Sequence, residues 1–126
     1  IGFAQISANY YSQDESQNYY VRDFGRAILG PLPKNSLVLT KGDIMVNSAR
    51  YMQSVEGFRK DLLLVDQEMM TFPWYIENLR RAYTEKDVKF PGQYYFPSRP
   101  GCFDMKTFLD KNRRGGRRRI FLAYGF

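Results

Sequence analysis

Three short runs of apolar residues constrain this chain more than anything else in it: SLVLT with its core at residues 37–39, DLLLVD with its core at 62–65, and IFLAY at 120–124. None alternates apolar with polar side chains. A strand wetted on one face alternates, whereas a strand covered on both faces reads as a continuous apolar run, the pattern of parallel sheets flanked by helices. The segments between the runs carry helical spacing. Tyr20, Phe24, Ala27 and Ile28 recur at helical intervals and stop at Gly30-Pro31, which predicts a helix over residues 14–29. Met45, Ala49, Met52 and Val55 predict a second, ending near Glu56-Gly57 with Gly57 left-handed at its C-terminus. Tyr75, Leu79, Ala82 and Tyr83 predict a third, with Thr71 as its cap and Pro73 in its first turn. Asp104 is expected to cap a short helix with Met105, Phe108 and Leu109 inward. Residues 89–102 hold Pro91, Gly92, Pro97, Pro100 and Gly101 among Tyr94, Tyr95 and Phe96, and read as a loop whose aromatics pack locally and could cover a site. The expected fold is α/β: a small three-layer parallel sheet of about three strands with flanking helices and right-handed crossovers.

At 126 residues the chain is expected to form one soluble domain, residues 1–126. A chain of this size buries roughly two-thirds of its unfolded surface and so builds a core without disulfides or a structural metal. It has no histidine and a single cysteine, Cys102, which removes Ser-His-Asp and Cys-His nucleophile systems, His-ligated zinc and any internal disulfide. No metal ligand set is read. No apolar run reaches the roughly 18 residues of a membrane span, and IGFAQISANY has neither a starting Met nor a basic-then-apolar signal, so the expectation is an internal fragment of a larger protein. The net charge of +6 is local. Arg113, Arg114, Arg117, Arg118 and Arg119 lie within RRGGRRR, and the remainder balances 14 basic residues against 13 acidic ones. A nucleic-acid interface more often spreads its cations over a face interleaved with aromatics, so nucleic acid is not the expected partner.

Ligands of open α/β sheets bind beyond the carboxyl ends of the strands. The first run exits into Thr40-Lys41-Gly42-Asp43 and the second into Asp66-Gln67-Glu68, so neighbouring strands would bring Asp43, Asp66 and Glu68 to one rim. Two readings stand: a crevice that holds a cation, sugar hydroxyls or a catalytic carboxyl, or a set of caps and turns with Asp43 capping the second helix, Asp66 capping a turn and Glu68 solvated. TKGDIMVNSARY contains neither a dinucleotide nor a P-loop glycine pattern. Trp74 and Tyr75 could stack on a sugar ring or belong to the core. Glu56-Gly57-x-Arg59-x-Asp61 reads as a C-cap glycine with charges paired across the turn. For RRGGRRR the readings are a solvated connection, which is the default, an RNA-binding patch, or a contact for anionic lipid headgroups. Cys102 reads as a half-buried thiol without an activating partner.

Taken in order, D-x-S-x-N-Y (residues 14–19), L-P-x-N (32–35), T-x-G-D (40–43), E-G-x-R-x-D (56–61), V-D-Q-E-M-M-T (65–71) and Trp74-Tyr75 resemble the soluble domain that follows the membrane-spanning part of the transmembrane protein 260 family of protein O-mannosyltransferases. The resemblance runs from about residue 9 to 112; RRGGRRR lies outside the pattern. It implies a multi-pass protein of the endoplasmic reticulum membrane, with this domain on the luminal side. The activity implied is transfer of mannose from dolichyl phosphate mannose to Ser or Thr of IPT domains in plexins and growth-factor receptors. It also implies that the catalytic carboxylate lies in a luminal loop among membrane helices. No catalytic residue is therefore carried over, no cofactor is expected in this chain, and Asp43, Asp66, Glu68, Trp74 and Tyr75 are family-motif positions that form a candidate acceptor or sugar rim. The fragment alone is expected to be inactive. The other class kept open is a stand-alone basic binding module using the arginine-rich segment for RNA or another anionic partner.

Overall fold

A computed structural model describes residues 2–124. The elements run α1 (Gly2–Gln13), α2 (Tyr20–Leu29), β1 (Leu37–Lys41), α3 (Asp43–Ser54), β2 (Leu63–Asp66), a single 3-10 turn (Met69–Thr71), α4 (Pro73–Ala82), α5 (Met105–Gly115) and β3 (Ile120–Tyr124). The three strands form one parallel sheet in the order β2-β1-β3. Leu37 to Thr40 of β1 pair with Leu63 to Asp66 on one side, and Leu37 to Lys41 pair with Ile120 to Tyr124 on the other. The continuous apolar runs are thus the strands, and the run in the middle of the sheet is the most deeply buried, with Leu37, Val38, Leu39 and Thr40 all inaccessible.

Side chains alternate across the sheet and divide the core in two. Leu37, Leu39, Leu63 and Val65 face a layer made by Ile76 of α4, Phe108 of α5, and Met70, Val88 and Phe103 of the connections. Val38 and Leu62 face Leu29 of α2 and Ala49 and Met52 of α3. Helices on both faces are what permits the strands to be apolar throughout. Gly25 marks the closest approach of α2 to α3: a Cβ there would lie 2.6 Å from the Met52 side chain and 2.9 Å from the Ser48 carbonyl oxygen.

The helix boundaries differ from expectation in three places. The first expected helix starts late: residues 14–19 form turns in which Ser16 N–H donates to Asp14 Oδ1 (2.9 Å) and Tyr20 N–H donates to Asn18 Oδ1 (3.1 Å), so short polar side chains satisfy the backbone before α2 begins. Ahead of them lies α1, a separate helix with no buried residue. The second helix stops at Ser54, and Val55 is exposed rather than inward, while Gly57 takes the left-handed φ of +64°. Thr71 does not cap α4. It closes the 3-10 turn by donating its hydroxyl to the Glu68 carbonyl (2.7 Å), Phe72 holds the cap position, and Pro73 is the first helical residue. Of the expected α4 face, Tyr75 and Leu79 pack on the core, Ala82 and Tyr83 are exposed, and Ile76 is the fully buried residue.

One connection is held by a buried polar staple. Asn112 of α5 accepts from Lys89 N–H (2.7 Å) and donates to the carbonyls of Lys89 and Phe108 (2.8 Å each), an amide copying a strand partner for the incoming loop. Asp104 caps α5 as expected by accepting from Thr107 N–H (2.7 Å), and this bonding lowers its carboxyl pKa. The aromatics of residues 89–102 do more than pack locally: Phe90, Tyr94 and Tyr95 lean on the core that includes Phe103 and Phe108. At the end of α5 a Cβ on Gly116 would sit 2.5 Å from the Asn112 carbonyl oxygen, so glycine is the residue that lets the chain leave the helix there and enter β3.

Candidate functional site

β1 and β2 are neighbours, so their carboxyl ends share the rim that the exits at Thr40 and Asp66 imply. The junction after β1 turns through Gly42 at φ +90°, a conformation that favours glycine, and Gly42 O accepts from Val46 N–H (3.0 Å) to start α3. Asp43 is the first residue of that helix; it is exposed and makes no capping bond, which corrects its reading as a cap. Its charge still complements the helix N-terminus.

Asp66 behaves differently. It is buried, Oδ1 accepts from the N–H groups of Glu68 (3.0 Å) and Met69 (3.2 Å), and Oδ2 accepts from Arg50 Nη2 (3.3 Å). It caps the turn after β2, as one of the two readings has it. Because β2 is an edge strand, Asp66 N–H has no strand partner on its outer side and donates instead to the Tyr75 hydroxyl (3.0 Å). Tyr75 is therefore a positioning residue for the rim, and burial raises its phenol pKa. Glu68 is exposed. Trp74 is 52% exposed, with its ring centroid 6.2 Å from Phe72 and 6.0 Å from Tyr75. Among the described residues no group of three or more His, Cys, Asp or Glu side chains could hold a metal ion.

Two rim residues escape sequence reasoning. Arg50 lies seven residues after Asp43 on α3, and only the helical spacing from Asp43 hints that it faces the rim. Gln67 Oε1 is buried and, among the described residues, is the one buried side-chain N or O atom without a hydrogen-bond partner.

The other charged spacings that the sequence singles out interlock away from the rim. Arg59, at φ +52°, reaches Asp61 with both arms of its guanidinium (Nε to Oδ1 2.9 Å, Nη2 to Oδ2 3.1 Å). The same side chain donates to the carbonyls of Leu29 (2.7 Å), Gly30 (3.1 Å) and Pro33 (3.1 Å). Asn35, at φ +57°, donates its N–H to Asp61 Oδ2 (3.0 Å). L-P-x-N and E-G-x-R-x-D are thus one device that ties the end of α2 to the entry of β2, with Arg59 holding the Asp61 carboxyl down to about 2. Glu56 stands apart from this pair and accepts from the Tyr51 hydroxyl (3.1 Å).

The arginine-rich segment is not one solvated loop. Arg113 and Arg114 belong to the last turn of α5, and Arg119 O accepts from Leu37 N–H (2.8 Å) as the sheet begins. Arg118 is a structural residue: its guanidinium donates to Asp87 Oδ1 (3.1 Å) and to the Asp61 carbonyl (2.9 Å). The Asp87 carboxyl is lowered first by the Thr84 hydroxyl and then by Arg118. Arg113, Arg114, Arg117 and Arg119 are exposed and form no salt bridge among the described residues. Cys102 is half-buried, as read.

Fold and site together define a small parallel α/β module, most of whose charged junction residues hold the chain connections and whose rim offers an exposed tryptophan and two exposed carboxylates. The family pattern described as TMEM260-associated domain 2 matches residues 21–94, and the chain belongs to this family. It is 37% identical over 108 residues to a Dictyostelium discoideum protein named protein O-mannosyl-transferase tmem260, covering 86% of this chain and 13% of that protein. It is 34% identical over 116 residues to the Mus musculus protein O-mannosyl-transferase TMEM260, covering 87% of this chain and 16% of that protein. The chain thus spans less than a fifth of the length of either relative. No solved structure matches it. No helix among the described residues is long and apolar enough to cross a membrane.

Proposed function

We propose that this chain is the luminal domain of a protein O-mannosyltransferase of the endoplasmic reticulum membrane, and that it orients the protein acceptor beside the membrane-embedded catalytic part while being inactive alone. In the parent reaction the bond between mannose C1 and the phosphate oxygen of dolichyl phosphate mannose breaks. A bond forms to a Ser or Thr hydroxyl of an IPT domain, whose proton passes to a base, and dolichyl phosphate leaves. The observation that carries this reading is the family match over residues 21–94, together with relatives named for O-mannosyl transfer. The rim supports a role in recognition. Asp66 is committed to the turn and to Arg50, whereas the exposed Asp43, Glu68 and Trp74 remain available to hydroxyls and to a ring face.

The test uses the full-length mouse relative in microsomes, with changes at the positions matching Asp43→Asn, Glu68→Gln and Trp74→Ala, and an IPT-domain acceptor. The expected result is a raised KM for the protein acceptor with kcat nearly unchanged, because groups that hold substrate and transition state alike alter binding alone. Unchanged KM in the triple variant, or mannose transfer by the isolated 126-residue chain, would overturn the reading.

A further inference from the structure

A groove of about 840 Å³ lies between α5 and the start of β3 and is walled in part by the arginine-rich segment, Arg118 included. Its floor is aliphatic: Leu109 from α5, and Ile120 and Leu122, which are two apart on β3 and point to the same face. Leu122 is 55% exposed although it sits in a strand, and β3 is an edge of the sheet. Lys106, Arg113, Arg117 and Arg119 stand around that floor, all exposed, against one carboxylate, Asp110.

We propose that this groove docks the domain on an anionic lipid surface, with headgroup phosphates at the cationic rim and the outer acyl region on Leu109, Ile120 and Leu122. An aliphatic floor under a cationic rim is complementary to an anionic amphiphile, where charge and apolar surface lie side by side. A single-stranded nucleic acid needs rings on which its bases stack, and among the described residues no aromatic side chain lines this groove. A soluble phosphate would use the rim and leave the floor idle. The division of labour within RRGGRRR supports the same occupant. Arg118 is tied down by Asp87 and the Asp61 carbonyl, which fixes the backbone from which Arg117 and Arg119 project, and Gly116 permits the turn out of α5. The proposal concerns this chain's own surface and does not depend on mannosyl transfer.

The experiment is co-sedimentation of the purified chain with phosphatidylcholine vesicles and with a two-to-one mixture of phosphatidylcholine and phosphatidylserine. Each is run at low and at physiological salt, with an oligouridylate binding assay alongside. Binding is expected to the anionic vesicles only, and to weaken with salt. R113Q/R117Q/R119Q is expected to lower the partition coefficient about 100-fold, about fivefold for each guanidinium near the surface. Leu122→Asn is expected to weaken it with the charge intact. K34Q/K60Q/R81Q removes the same charge from exposed positions elsewhere and is expected to cost less than tenfold. Thermal melts of each variant confirm that it is folded, and wild-type salt dependence stands without any variant. Equal binding to neutral vesicles, equal losses in the two charge triples, wild-type binding by Leu122→Asn, or tighter binding to the oligonucleotide than to vesicles would each overturn the proposal.

Discussion

Replacing Arg59 by alanine removes five hydrogen bonds at once, two to Asp61 and one each to the carbonyls of Leu29, Gly30 and Pro33. The Arg59 side chain is 14% exposed and that of Asp61 30%, so the pair is screened only in part. Breaking a pair of this kind strands the partner charge and the carbonyls at the end of α2, at a cost of about 3 kcal/mol. For a domain of this size that corresponds to a drop in Tm of roughly 10 °C. Alanine also leaves the φ of +52° in place, so no backbone strain is relieved. Arg59→Lys keeps the charge and loses the fork, and is expected to recover less than half of the loss. The acid limb separates electrostatics from packing. Arg59 first, and then the Asn35 N–H, holds the Asp61 carboxyl at about 2 against an ordinary 3.8. Because the folded carboxyl titrates below the unfolded one, its stabilisation is complete above about pH 4 and is lost as pH falls through about 2. With partial exposure this amounts to about 1.5 kcal/mol. Urea unfolding followed by far-ultraviolet circular dichroism from pH 7 to pH 2 reads both quantities. Arg59→Ala within 1 kcal/mol of wild type, or an acid limb unchanged in Asp61→Asn, would refute the interlocked-motif reasoning.

Two further outcomes follow from the same bookkeeping of polar partners. Asn112→Ala leaves the Lys89 N–H and carbonyl unpaired behind α5 and is expected to cost about 2–4 kcal/mol of unfolding free energy, read by urea titration; a loss below 1 kcal/mol would mean that water replaces the amide. At the rim, Asp66→Ala is expected to lose about 1–2 kcal/mol through the turn cap and Arg50, whereas Asp43→Asn stays within about 0.5 kcal/mol. Thermal melts of the two variants side by side check this, and equal effects would sink the distinction between the two carboxylates.

The strands were legible because burial on both faces writes itself into consecutive residues, and β1, the central strand, carries the plainest signal. Helix interiors were legible for the same reason: Met45, Ala49 and Met52 recur because one face of α3 is buried. Helix starts were not. Residues 14–19 carry the apolar Tyr19 near the periodic stretch, but side-chain bonds from Asp14 and Asn18 satisfy the backbone before any helix forms, and such local competition has no period to detect. The helix α1 buries nothing, so no core pressure marked its apolar residues against their neighbours.

At the candidate site the sequence puts Asp43, Asp66 and Glu68 at or just beyond the carboxyl ends of β1 and β2, and the pairing of those two strands brings the ends side by side. What it leaves open is which carboxylates are spent. Asp66 is satisfied by N–H groups two and three residues on, a turn pattern readable in principle, but its other oxygen meets Arg50 across 16 residues of chain. Arg118 is the sharper case. Five arginines that look alike in RRGGRRR divide by tertiary context alone, because Asp87 and the Asp61 carbonyl, 31 and 57 residues away, claim one of them. Arg118 also reaches the backbone of the residue that Arg59 holds, so the L-P-x-N and E-G-x-R-x-D spacings and the arginine-rich segment converge on Asp61. Short charged spacings need not encode chemistry: here they encode the joint between α2, β2 and β3. The recognition role proposed for the rim draws on the side chains that no backbone group has claimed, Asp43, Glu68 and Trp74.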